Sequence, residues 1–355
     1  MEKVKIALIG AGGIGNVHLE SYQHVPQAEI YAICDINEER LNKTADKFGI
    51  TRRYTDVDTM LAELPELDAA DVCVWNNNHA PCAIKALNAG LHVLCEKPMA
   101  YNAQQAEEMK AAAEKNGKLL MIGFVLRFSD EGRIAKDFVD KDYLGEIYYS
   151  KAQYVRRHGN PGGWFSDKSR SGGGPVIDLG VHVIDLTRYL MGSPKPVSVF
   201  ATVSHKLGNR PHLKYGVGWS SEQAKEDQNE DCSVEDFGVA LIRYDNGATT
   251  LLETSYDLNG ETMGKKQLFG TKGGSTLSPE FELFTEVNGY LADLSLVRPT
   301  ALSFDGLFER EIHYFVDSVI SNRDLSSIAE DGCALMKILD AIYESAATGH
   351  EVVIK

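Results

Sequence analysis

The stretch Val4–Ile9 is a short apolar run that passes directly into Gly10-Ala11-Gly12-Gly13-Ile14-Gly15 and then into an amphipathic segment holding Val17, Leu19 and Tyr22. A strand that enters spaced glycines and leaves as a helix has few architectures open to it. Gly10 admits a tight turn, Gly12 lets backbone amides approach a bound group, and Gly15 allows helix and strand to pack closely. The helix start offers unpaired N–H groups, with Gly13 and Ile14 in its first turn, so the turn suits an anion such as a pyrophosphate.

The pattern then repeats. Apolar runs at 30–34, 72–75, 93–95 and 119–122 are separated by helix-length segments, and strands so spaced need crossovers that produce a parallel sheet covered on both faces. A doubly wound Rossmann domain is expected over residues 1–125. The texture changes after that: a helical pattern to Val139, an alternating stretch at 147–155, a glycine-rich segment at 159–174, and strand-like runs at 197–203, 239–244, 248–256 and 266–270. These predict an α+β second domain over 126–355 with a large open, mostly antiparallel sheet. A helix is expected at 176–190, and another at 328–347 that can fold back on the first domain. The acidic run 222–236 is expected to be a solvated loop.

Composition narrows the partners. A chain of 355 residues exceeds what one core organises, and 36 Lys+Arg against 51 Asp+Glu leave a net charge of -15, which repels nucleic acid and anionic membranes. No apolar run reaches the roughly eighteen residues of a membrane span, and Met1-Glu2-Lys3 leads straight into a strand with no secretory pattern. The six cysteines contain no CxxC pair, so they are expected to be reduced packing thiols in a cytoplasmic protein. No metal site is expected: His18, His24, His79 and His92 lack a ligand-like spacing with a carboxylate.

Asp35 closes the second strand pattern, twenty residues after Gly15. A carboxylate there accepts from the adenosine ribose hydroxyls and turns away a 2′-phosphate, so NAD is expected over NADP; Arg40, on the next helix, is a cation that a 2′-phosphate can still use. Further on, Glu96-Lys97-Pro98 ends a strand of the same sheet and aims a polar pair at the cofactor crevice, although such a pair beside proline also reads as a solvated turn. Asp178, His182 and Asp185 stand four and three residues apart on an otherwise apolar helix. Either they form a buried structural network, or a histidine able to take a hydroxyl proton sits beside a carboxylate that orients substrate.

Taken together, the glycine loop, Glu96-Lys97-Pro98 and the Asp178/Gly180/His182/Asp185 cluster resemble the glucose-fructose oxidoreductase, inositol dehydrogenase and rhizopine-catabolism family, written Gfo/Idh/MocA. Asn76, His79, Gly123, Arg127, Trp164 and Gly172–Gly174 extend the resemblance over nearly the whole chain. It implies an N-terminal Rossmann domain, an open-sheet C-terminal domain that makes homodimers or homotetramers, and tightly held NAD(H) or NADP(H). By motif, Lys97 and His182 are the implied catalytic pair, the histidine as general base and the lysine steadying the alkoxide, with Asp178 binding substrate and tuning the histidine. Gly10, Gly12, Gly13, Ile14, Gly15, Asp35, Arg40, Asn76, His79, Glu96 and Lys97 are the cofactor candidates. Val74-Trp75-Asn76 departs from the Thr-Pro that many members carry before the asparagine.

Lys97, Arg127, Tyr154, Arg156, His158, Trp164, Asp178 and His182 are the substrate candidates, since an aromatic with several donors suits a pyranose ring. Two activities stay open at this point. One is net hydride transfer between NAD and a secondary hydroxyl of a sugar, glycoside or inositol; the other oxidises a sugar transiently with bound NAD, to permit elimination or cleavage, and restores it. A non-catalytic NAD-binding scaffold is disfavoured by the presence of both Lys97 and His182.

Overall fold

The computed structural model describes residues 3–208, 210, 212–214, 216–218, 232–278, 280–297, 306–323 and 325–355. The chain divides into two compact units, one formed by 1–123 with 305–336 and the other by 124–304 with 337–355.

The first unit runs β1 (Val4–Ile9), α1 (Gly13–Tyr22), β2 (Ala28–Cys34), α2 (Glu38–Phe48), β3 (Arg53–Tyr54), α3 (Val57–Glu63), β4 (Ala69–Val72), α4 (Asn76–Asn88), β5 (His92–Glu96), α5 (Ala103–Asn116) and β6 (Leu120–Gly123). The sheet order is β3-β2-β1-β4-β5-β6, with every pairing parallel. Strand order reverses between β1 and β4, and that switch point, at the carboxyl ends, is where such sheets bind ligands. Local signals set the helix ends: Asn37 and Asn102 cap α2 and α5 by accepting from Arg40 N and Gln105 N, and Gly49 and Gly117 end them in the left-handed region. The run expected at 72–75 begins earlier, at Ala69. The charged Asp71 interrupts its apolar pattern, yet Asp71 is fully buried because His18 bonds to it.

The second unit contains α6 (Asp130–Asp140), β7 (Ile147–Val155), α7 (Lys168–Ser171), a π-helical turn at Val176–Gly180, α8 (Val181–Leu190), β8 (Pro196–Ser204), β9 (Phe237–Tyr244), β10 (Thr249–Ser255), β11 (Lys266–Gly270), β12 (Gly274–Thr276), β13 (Glu282–Val287) and β14 (Tyr290–Ser295). The helix expected at 176–190 is thus a π-turn feeding α8, a feature frequent at functional sites. Of the last elements, α9 (Leu307–Ser321) belongs to the first unit, α10 (Ser326–Thr348) begins there and ends in the second, and β15 (Val352–Val353) pairs with β8. Among the described residues the second sheet has nine strands, ordered β14-β13-β12-β11-β7-β10-β9-β8-β15. It is antiparallel except for β7 and β10, matching the expected open, mostly antiparallel sheet. Alternate residues face a buried side: Ala152, Ala240, Ile242, Leu252 and Leu268 are almost wholly buried.

Among the described residues no helix is long and apolar enough to cross a membrane.

Candidate active site

In the first unit the glycines divide by what surrounds them. A Cβ on Gly10, whose φ is +106°, would stand 2.4 Å from the Cys73 carbonyl oxygen, and one on Gly15 would stand 2.1 Å from that of Gly10. Both must therefore stay bare for β1, β4 and α1 to close up. A Cβ on Gly12 would meet nothing within 4 Å, so the loop is open at the residue that caps α1. That helix has no side-chain cap and no acidic residue in its first turn, which leaves its N-terminal amides to an anionic ligand. The loop fits a dinucleotide pyrophosphate on these grounds.

Asp35 lies at the end of β2, 6% exposed. It accepts from Ala11 N and Asn37 N, both at 2.8 Å, and from Arg40 Nε at 3.0 Å and Nη2 at 2.7 Å. The two candidates for the adenosine end are thus one ion pair, and Asp35 also ties the glycine loop to β2. Asn76 opens α4 and is buried. His79 lies within the first turns of that helix, with Nδ1 2.6 Å from the Pro98 carbonyl and Nε2 3.1 Å from that of Val74. Burial pushes its ring below the ordinary value, so a neutral imidazole donates to one of these carbonyls. Trp75 stands at the N-cap of α4.

Glu96, a cofactor candidate, closes β5 and is buried. It turns inward: Oε1 lies 3.0 Å from His18 Nε2, and Oε2 accepts from Lys97 N at 3.0 Å. His18 Nδ1 is 2.8 Å from Asp71 Oδ2. Gly123, opposite Glu96 in the β5–β6 pairing, makes room for this, because a Cβ there would stand 3.2 Å from Glu96 Oε1. Lys97 is partly buried and its bond to Pro98 is cis.

In the second unit the π-turn and α8 carry Asp178, His182 and Asp185, and the two carboxylates hold different partners. Asp178 is buried and accepts from the Tyr256 hydroxyl at 3.0 Å. His182, one turn on, is partly buried. Asp185 instead holds Arg127 through two bonds, from Nε at 2.9 Å and Nη2 at 2.6 Å, and the guanidinium also lies over the Tyr189 ring, 4.6 Å from its centroid. Arg127, expected at the substrate, is thereby part of the support of α8. Arg156 is buried, donates to the Gly159 carbonyl at 2.9 Å and lies over Tyr154. His158 Nδ1 is 2.7 Å from Asp257 Oδ1, an oxygen that also accepts from Arg210. Trp164 lies against Phe165, ring centroids 3.9 Å apart.

Glu235 was missed by sequence reasoning, hidden in a run expected to be solvated; it and Asp236 are 2% and 4% exposed. The Glu235 carboxylate accepts from Gly174 N at 3.0 Å, Val176 N at 3.1 Å and the Tyr343 hydroxyl at 2.8 Å, so it caps the turn that leads to Asp178. Burial raises its pKa above the ordinary carboxylate value. The glycine run is explained by the same residues: a Cβ on Gly173 would collide with Tyr343, and one on Gly174 with the Glu235 backbone oxygen at 2.2 Å. Tyr256, Asp257, Arg210 and Tyr343 carried no local signal, since each gains its meaning from a partner distant in the chain.

A doubly wound sheet with an open glycine loop, joined in one chain to a mostly antiparallel sheet domain, defines a two-domain oxidoreductase with a Rossmann domain for NAD. Residues 4–124 match the model described as oxidoreductase family, NAD-binding Rossmann fold, and residues 133–276 match the GFO/IDH/MocA C-terminal domain. The chain belongs to the Gfo/Idh/MocA family. It is 33% identical over 353 residues to D-glucoside 3-dehydrogenase of Escherichia coli (strain K12), covering 98% of this chain and 97% of the relative. A myo-inositol 2-dehydrogenase of Thermotoga maritima is 28% identical, over 74% of this chain and 73% of its own length. In fold, a levoglucosan dehydrogenase in complex with NADH superposes with a TM-score of 0.85 at 23% identity, covering 100% of both chains.

Proposed function

We propose that this oxidoreductase takes a hydride from a secondary hydroxyl carbon of a sugar ring, with D-glucosides as the first substrate class and free aldoses and inositols beside them. The observation that carries the reading is Asp178, buried and held by Tyr256, one helical turn ahead of His182. The near full-length likeness to a relative named a glucoside dehydrogenase supports the choice of class.

Bound NAD supplies the hydride acceptor. The chain's own residues manage the proton and the charge. His182 takes the hydroxyl proton as general base, a role for which an imidazole nitrogen is suited. The Lys97 ammonium, a compact cation, steadies the alkoxide that forms. Asp178 orients a neighbouring hydroxyl, with Tyr154, Arg156, His158 and Trp164 as the further sugar-binding residues. The balanced reaction converts a carbinol and NAD+ into a ketone, NADH and one proton. Asp35 selects NAD, and Arg127 holds α8 through Asp185. The six free cysteines support placement in the reducing cytoplasm. A homodimer or homotetramer forms through the outer face of the nine-stranded sheet.

The test is absorbance at 340 nm with NAD and a panel of alkyl glucosides, aldoses, anhydrosugars and inositols. NADH formed with the glucosides supports the reading. Substrate consumed without net NADH replaces it with transient oxidation. Lys97→Ala and His182→Ala are expected to lower kcat about 10²- to 10⁴-fold while leaving NAD binding in place, and parental turnover in either sinks the role assigned to that residue.

A further inference from the structure

His18 is one of the fully enclosed ionisable groups of the first unit. It projects from α1, the helix that begins at the glycine loop, and is 0% exposed. Each ring nitrogen meets a carboxylate, Asp71 of β4 at 2.8 Å and Glu96 of β5 at 3.0 Å. An ionised carboxylate only accepts, so two such bonds require a proton on each nitrogen. The other polar groups around it are Cys73, whose Sγ is 3.5 Å from Nδ1, Tyr22 beside Asp71, and Glu311 of α9, a carboxylate oxygen of which lies within 4.8 Å of the ring; the Phe308 ring covers one side at 5.5 Å. Burial alone would strip the ring of charge, but Asp71 and Cys73 outweigh it and hold His18 well above the ordinary 6.5.

The bond network continues to Lys97. Glu96 Oε1 faces His18 while Oε2 accepts the Lys97 backbone N–H, and His79 reaches the Pro98 carbonyl from the other side. We propose that His18 is a positioning residue for Lys97: its doubly hydrogen-bonded ring pins the Glu96 carboxylate, and Glu96 in turn fixes the backbone from which the Lys97 side chain departs. His18 touches no substrate in this scheme. Its contribution is to make the strand end behind Lys97 rigid and to tie it to the helix that opens the cofactor loop. Without the ring, Asp71 and Glu96 lose the group that compensates their buried charge, and Glu96 has no reason to stay aimed at the Lys97 amide.

The proposal rests on the reading of Lys97 as a catalytic residue, and a double-mutant cycle separates the two. His18→Gln, Lys97→Ala and the double variant are compared with the parent on NAD and methyl β-D-glucopyranoside. His18→Gln is expected to lower kcat about 10- to 100-fold, the scale of a 1 Å misplacement, with KM for NAD within about twofold. In the Lys97→Ala background the same substitution is expected to cost nothing further. Equal losses in both backgrounds, or no loss in the first, overturn the proposal. Parental turnover in Lys97→Ala overturns instead the role of Lys97. Independently of kinetics, ¹⁵N-histidine spectra of the whole chain are expected to show both His18 nitrogens still protonated above the ordinary histidine range. A neutral His18 ring, or a stoichiometric divalent metal found by elemental analysis, overturns the proposal even where His18→Gln does not fold.

Discussion

Asp35 and Arg40 form an ion pair, and on the proposed reading the choice of nicotinamide cofactor turns on it. The guanidinium occupies both oxygens of the carboxylate, so it partly neutralises the charge that turns away a 2′-phosphate. Removing either partner should therefore move specificity in opposite directions. Asp35→Ser is expected to raise KM for NAD about tenfold or more and to improve use of NADP, because a freed guanidinium is a phosphate ligand; Arg40→Met is expected to sharpen rejection of NADP. Initial rates with both cofactors measure this, and an unchanged NADP-to-NAD ratio in both variants would place the adenosine end elsewhere. The glycine loop, Asp35, Lys97 and His182 are candidates the sequence offers by itself, because their chemistry sits in short motifs. His18 is not, since its partners lie 53 and 78 residues away, and nothing local says which way the Glu96 carboxylate points.

At the scale of the element, the helix bearing Asp178 and His182 is held from outside itself. Glu235 caps the preceding turn and Tyr343 fixes Glu235, while Arg127 grips Asp185 further along. Gly174→Ala sets a Cβ against a backbone oxygen that cannot rotate away, so a loss of about 1 to 3 kcal/mol is expected, read as a lower Tm; an unchanged Tm would mean that the turn is looser than its contacts indicate. The raised pKa of Glu235 sets a pH dependence. A proton held more tightly in the folded than the unfolded chain stabilises the fold fully below the ordinary 4.5, and that contribution is lost as pH rises through the folded value. Comparing Glu235→Gln with the parent isolates it: the parent's stability relative to the variant should decline as pH rises above about 4.5, and parallel stability curves would count against it. The strand and helix alternation of this region was legible from periodicity, but the π-turn was not. An inserted residue leaves hydrophobic spacing nearly unchanged, and the cap comes from a residue in a run whose charge suggested solvent.

For the molecule as a whole, the open question is what covers the outer face of the nine-stranded sheet. Strand register sets Phe200 opposite Leu241 and Leu241 opposite Leu251, and Tyr149 stacks on Phe269 at 5.2 Å on the neighbouring strands. Phe200 and Leu241 are 52% and 43% exposed in the single chain. An apolar row of this kind across adjacent strands is costly to leave in water and marks an interaction surface. The net charge of -15 opposes association of like chains at long range, so short-range apolar burial has to supply the gain. A second copy meeting the same face about a twofold axis buries the row against itself. If the proposed oligomer forms through this face, Phe200→Asp with Leu241→Asp is expected to convert it into monomers, and raised salt is expected to tighten it by screening repulsion. Light scattering across salt concentrations gives the mass, and circular dichroism shows whether the sheet survives. A variant that keeps the parental mass with an intact sheet would move the interface off this face, whereas monomers with parental spectra would place it there.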